Sequence, residues 1–102
     1  MRLPFVPEAL DELEAAASYY ERERPGYGAL FVSEVKLRVD RAARFPRSGR
    51  RIAGIDAGPD FRGFGLKRFP YVVVIGSVAG QRAVVAVAHT RRAPGYWRKR
   101  AT

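Results

Sequence analysis

The spacing of apolar residues changes once along the chain. Leu10, Leu13, Ala17 and Tyr20 recur at helical spacing, and so do Phe31/Val32, Val35, Val39 and Ala42. The first stripe predicts an amphipathic helix from Pro7 to about Glu23. Pro7 suits the first helical position, where its missing N–H costs nothing. Glu8, Asp11 and Glu12 follow at the positive end of the helix dipole. Arg24-Pro25-Gly26-Tyr27-Gly28 breaks the pattern. The second stripe predicts a helix from about Gly28 to Phe45. It ends before Pro46, since the residue preceding a proline avoids helical dihedrals. Two such helices with a short break predict a helical hairpin.

The rest of the chain is punctuated differently. Arg2–Val6 alternates polar and apolar and reads as a strand, confined to an edge or a strand's end by Pro4. Residues 46–60 hold three Gly and two Pro and read as a loop. Phe61–Phe69 reads as an irregular strand, with Gly63 and Gly65 marking a bulge rather than a phosphate loop. Tyr71–Ser77 and Arg82–Thr90 are rich in β-branched residues and read as buried strands. The turn Ala79-Gly80-Gln81 joins them into a hairpin. Helices therefore segregate from strands. The expected fold is a single α+β domain over residues 1–102. In it, an N-terminal strand and a helical hairpin pack on a small, mostly antiparallel sheet.

Composition narrows the class. The 102 residues suit one domain, and 47% apolar content argues for a folded chain. The chain has no Cys and one His, which leaves no thiol nucleophile and almost no route to a zinc site. No cofactor and no metal are expected. The opening MRLPFVPEALDE is too acidic for a signal peptide, and the longest apolar run, Pro70 to Ile75, is far short of a membrane span. The expected setting is the cytoplasm, with no membrane partner.

Charge is placed unevenly. Residues 1–40 carry five basic and eight acidic side chains, a net of −3. Residues 41–102 carry fourteen basic ones against Asp56 and Asp60 alone, a net of +12. A half of that kind attracts nucleic acid or an acidic protein segment. The tail from His89 to Arg100 is the densest stretch, with five cations, Tyr96, Trp97 and the lone His. Interleaved cations and rings suit single-stranded nucleic acid. In a metal-free ribonuclease, His89 and Tyr96 would carry protons, and Arg62, Lys67, Arg68, Arg91 and Arg92 would stabilise charge on the phosphorane. Each has a plainer reading. Trp97 could cover the sheet, His89 could be a hydrogen-bonded strand end, and Lys99 and Arg100 could be a solvated terminus. No Ser has the neighbours of a hydrolase triad.

Several pieces, in order, resemble one family. The first helix reads Pro7-Glu8-Ala9-Leu10-x-Glu12-Leu13-x-x-Ala16-x-x-Tyr19-Tyr20-Glu21. It is followed by Pro25-Gly26-x-Gly28-x-x-Phe31-x-x-Glu34-Val35. Arg68-Phe69-Pro70-Tyr71 then leads into a strand, and His89-x-Arg91-Arg92-x-Pro94-x-Tyr96-Trp97 closes the chain. Over roughly residues 3–98 this resembles the RelE/ParE superfamily of bacterial type II toxins, also described as plasmid stabilisation proteins. The resemblance implies the α+β fold above and a cognate acidic antitoxin that neutralises the toxin.

It also implies one of two targets. ParE-like members poison DNA gyrase through protein contacts. RelE-like members cleave mRNA on the ribosome, with basic residues on the central strands and a C-terminal Tyr or His. Tyr96 and Arg92 match positions of the nuclease branch, but Thr90 stands where that branch often has another Arg. The Pro-Gly-Tyr-Trp ending and the Tyr-Tyr-Glu helix are closer to the ParE-like branch, which the sequence favours. The catalytic set, if the chain is a ribonuclease, is His89, Tyr96 and Arg92. The target-binding set is Arg62, Lys67, Arg68, Arg91, Arg92, Trp97 and Arg98. A third reading is a basic nucleic-acid-binding module without toxicity.

Overall fold

A computed structural model describes residues 3–52 and 61–101. Arg2, Asp56, Asp60 and the end of the expected 46–60 loop lie outside the described residues. Helix α1 spans Pro7–Glu23 and α2 spans Tyr27–Arg44, within one residue of the sequence reading. Pro7 opens α1 behind an extended Val6. The link between the helices is held by one carboxylate. Glu21, near the end of α1, accepts from the Gly26 N–H at 3.0 Å and the Gly28 N–H at 3.0 Å. These are orphan donors at the start of α2, so α1 caps its own successor. Gly26 takes φ +93°, a value that favours glycine. Gly28 serves the crossing itself, since a Cβ there would lie 2.6 Å from the Ala17 carbonyl oxygen.

Four strands form an antiparallel sheet in the order β1-β2-β3-β4: Arg50–Arg51, Arg62–Gly65, Tyr71–Val78 and Gln81–His89. The β3–β4 turn is the tight pair Ala79-Gly80 at φ +51° and +82°. Both residues lie in the left-handed region, as a twisted two-residue hairpin requires. Val78 pairs with Gln81 across it.

Three expectations are corrected. The N-terminal strand is a single parallel bridge, Phe5 to Val84. The Val84 N–H donates to the Pro4 carbonyl, and the Val6 N–H to the Val84 carbonyl. Pro4 and Pro7 have no N–H, so the ladder cannot extend. The expected strand over Phe61–Phe69 is regular at Arg62–Gly65, with one flanking bond on each side, from the Ile52 N–H to the Phe61 carbonyl and from the Leu66 N–H to the Tyr71 carbonyl. Beyond it, the Glu34 carboxylate on α2 accepts from the Lys67 and Arg68 N–H groups and draws the chain out of the ladder. Gly63 and Gly65 sit in regular register with Val74 and Val72. The bulge lies instead between β3 and β4, where Val74 pairs with Ala86, Ile75 pairs with Val84, and Val85 is the extra residue.

That bulge shapes the core. It leaves Val84 and Val87 on the helix side of the sheet and Val85, Ala86 and Ala88 on the other. The helix side packs Phe31, Val35, Val39, Phe64, Val73 and Ile75. Tyr20, Phe31, Phe69 and Tyr71 add edge-on ring contacts there. The opposite face is closed by Phe61, Val74 and the returning tail.

Candidate functional site

The tail after β4 turns twice and is tied to α1. The Arg92 N–H donates to the His89 carbonyl at 3.0 Å, and Gly95 takes φ +84°. These turns lay Trp97 on the sheet, 6% exposed, with its ring edge-on to Phe61 at 6.5 Å. Trp97 is therefore part of the second core cluster and presents no open face for a base to stack on. Arg98–Arg100 forms one 3₁₀ turn.

Glu12 of α1 organises this region. Its Oε1 accepts from the Val87 N–H at 3.0 Å and from Arg100 Nη1 at 2.9 Å. Its Oε2 accepts from the Tyr96 hydroxyl at 2.5 Å and from Arg100 Nη2 at 3.1 Å. The Arg100 contact is the bidentate fork that guanidinium and carboxylate favour. Arg100 Nη1 also donates to the Val85 carbonyl at 3.0 Å. The Arg92 guanidinium lies 3.8 Å from the centre of the Tyr96 ring and 3.8 Å from Glu12 Oε2. Arg100 is thus anchored, where the sequence suggested a solvated terminus.

The ionisation of the group follows from these contacts. Burial pushes the Glu12 carboxyl up, but hydrogen bonds from Arg100, Tyr96 and the Val87 N–H outweigh it and hold the group below its ordinary value. Burial, together with the hydrogen bond to Glu12, pushes the Tyr96 phenol up to about 12. Its hydrogen bond to Glu12, with burial opposing, holds the Arg100 guanidinium charged. At neutral pH Tyr96 is a neutral donor to a carboxylate and a poor proton acceptor.

His89 ends β4 beside Tyr71, with ring centroids 5.0 Å apart. Its Nδ1 accepts from the Arg91 N–H at 3.0 Å, which assigns the proton of the neutral ring to Nε2. Tyr96 and His89 thus each spend a proton-transfer atom on the fold.

The remaining cations fall into separate groups. His89, Arg92 and Trp97 line a cleft of about 610 Å³ on the face of the sheet away from the helices, with Arg50 and Arg51 on its other lip. Arg91 and Arg98 are exposed in the tail. Lys67 and Arg68 lie on the helix side, in a shallow groove with Glu34, Leu37 and Arg38. Arg62 is half-buried and donates to the Gly49 carbonyl at 3.3 Å. The strand residues therefore do not join the tail in one phosphate site. Arg50, Arg51 and Glu12 were not singled out from sequence. For Glu12 a signal existed: it lies three residues after Ala9 and four before Ala16, both buried, and so places a carboxylate at the border of an apolar face.

What the arrangement offers, among the described residues, is a cationic rim around an apolar cleft with no free acid–base pair at its centre. Among the described residues, no three His, Cys, Asp or Glu side chains group as a metal site, and no helix is long and apolar enough to cross a membrane.

Comparisons agree with this picture. Residues 3–94 match the family described as ParE toxin of type II toxin–antitoxin system, parDE. No match is found among curated protein sequences. The fold is similar to that of a chain from the chromosomal ParDE toxin–antitoxin system of P. aeruginosa. The TM-score is 0.71 at 15% identity, over 87% of this chain and 95% of that one. With the family matched across nearly its whole length, this chain belongs to the ParE toxins of type II toxin–antitoxin systems.

Proposed function

We propose that the chain arrests growth by binding DNA gyrase, and that an acidic antitoxin blocks it by covering its basic face. The carrying observation is the state of Tyr96. Its hydroxyl is 2.5 Å from Glu12, and its phenol is pushed up to about 12. A proton carrier for RNA cleavage works best with a pKa near the operating pH, and the only His has its Nδ1 engaged by backbone. The chain then acts through surface contacts, which suits a protein target. The ParE family match and the ParDE neighbour support an antitoxin as partner, and gyrase is the target that the resemblance to the ParE-like branch implies. The ribosome-dependent nuclease reading draws only on the matching positions of Tyr96 and Arg92.

A small acidic reading frame is expected immediately beside this one, and induced expression in a bacterium, with and without its product, tests this. The expected result is growth arrest, loss of plasmid supercoiling and intact mRNA, all relieved by the second product. Unaffected growth, or arrest with early mRNA cleavage and normal supercoiling, overturns it.

A further inference from the structure

We propose that the cleft on the sheet's open face receives a short peptide segment of the antitoxin, an apolar side chain flanked by carboxylates. The inference rests on the toxin–antitoxin reading and adds where and by what chemistry the partner is held.

The floor comes first. Gly65, Val72 and Ala88 are paired in one row across β2, β3 and β4. Gly63, two residues back along β2, is closed by Val72 and Ile52, since a Cβ there would lie 3.1 Å from Val72 Cγ1. Gly65 is different: a Cβ there would meet nothing within 4 Å. The sheet leaves room at that point for a side chain it does not supply. The cleft's volume, about 610 Å³, lies within the range of sites that bury a ligand.

The rim decides the occupant. Arg50 stands on one lip, exposed and without an ion pair among the described residues. Arg92 and His89 stand on the other; the Arg92 side chain is 56% exposed even though its guanidinium rests on the Tyr96 ring, 3.8 Å from Glu12 Oε2. Guanidinium groups on two sides of an apolar floor match carboxylates on either side of an apolar anchor. Trp97 closes the inner wall of the cleft. Nucleic acid fits less well. Stacking needs an open ring face, yet Trp97 is buried and Tyr71 packs toward the helices.

The test uses the full chain and the purified product of the adjacent acidic reading frame, by titration calorimetry. Gly65→Leu places a side chain in the cleft at a point where its Cβ meets nothing within 4 Å, and Arg50→Glu reverses one lip. Gly65→Ala is a milder second variant, and Lys36→Glu on the exposed side of α2 is the control. Thermal melts establish that each variant is folded. Gly65→Leu and Arg50→Glu are expected to weaken binding about tenfold or more, with Gly65→Ala between them and the parent. Lys36→Glu should stay within about twofold. Folded Gly65→Leu and Arg50→Glu that bind within about twofold of the parent overturn the proposal, while growth arrest by the same chains would leave the toxin reading standing. A labelled single strand of about twelve nucleotides is the second probe. Its loss in Gly65→Leu with antitoxin binding unchanged would overturn the peptide assignment in favour of nucleic acid.

Discussion

At the scale of single residues, Glu12 carries the most consequence. One carboxylate serves a backbone N–H, a phenol and a guanidinium. Removing it leaves Arg100 half-buried without its counter-charge, so Glu12→Ala should cost about 3 kcal/mol, measured by urea denaturation. The pH dependence has a definite sign. A carboxyl held below its ordinary value when folded stabilises the fold above the ordinary glutamate range. That contribution is lost as pH falls through the depressed value. The parent should therefore lose stability across that window, and Glu12→Gln should show a flatter acid limb. Tyr96 runs the other way. Its phenol is raised to about 12, so its contribution is complete below the ordinary tyrosine value and fades as pH climbs toward the raised one. Tyr96→Phe should cost about 2 kcal/mol, for one hydrogen bond to a charged group, yet leave growth arrest intact in an induction assay. Loss of arrest by a folded Tyr96→Phe would restore the nuclease reading.

At the scale of elements, two contacts set the architecture. The outer edge of β4 is closed without a fifth strand: Val84 by Pro4 and Val6, Val87 by Glu12, and Val85 by Arg100. Open edges invite pairing with another chain. Arg100→Ala should therefore raise self-association, read by sedimentation velocity, and speed amide exchange at Val87. At the helix crossing, Gly28→Ala would push a methyl against the Ala17 carbonyl at 2.6 Å. It should destabilise the chain by about 1–3 kcal/mol, seen as a lower thermal midpoint.

Much of this level was legible in sequence. The helices came from 3.6-residue stripes and the β3–β4 hairpin from β-branched runs around Ala79-Gly80. What was not legible depended on partners far along the chain. The two-residue β1 has no apolar pattern and exists because Gly63 and Arg62 pair with it. The Glu12–Arg100 pair joins positions 88 apart in sequence, and the division of the cations between two faces follows from strand register.

At the scale of the whole molecule, the net charge of +9 divides more subtly than its halves suggest. Glu12 and Glu34, both from the acidic hairpin, reach onto the basic half and engage Arg100, Tyr96 and the Lys67–Arg68 backbone. Internal compensation is spent on holding the tail and the β2–β3 turn. Arg50 and Arg92 line one cleft with exposed side chains, and Arg91 and Arg98 stay exposed in the tail. At the cleft, rim cations speed the encounter with an anionic partner and an apolar floor holds what arrives. The family supplies the frame of a toxin with an antitoxin, and the locked phenol argues for a target bound rather than cut. The most direct measurement is supercoiling by purified DNA gyrase with the purified chain added, as parent and as Tyr96→Phe. Inhibition by both is expected, abolished by the antitoxin. Full supercoiling activity at saturating toxin, from a preparation that arrests growth when expressed, would contradict it.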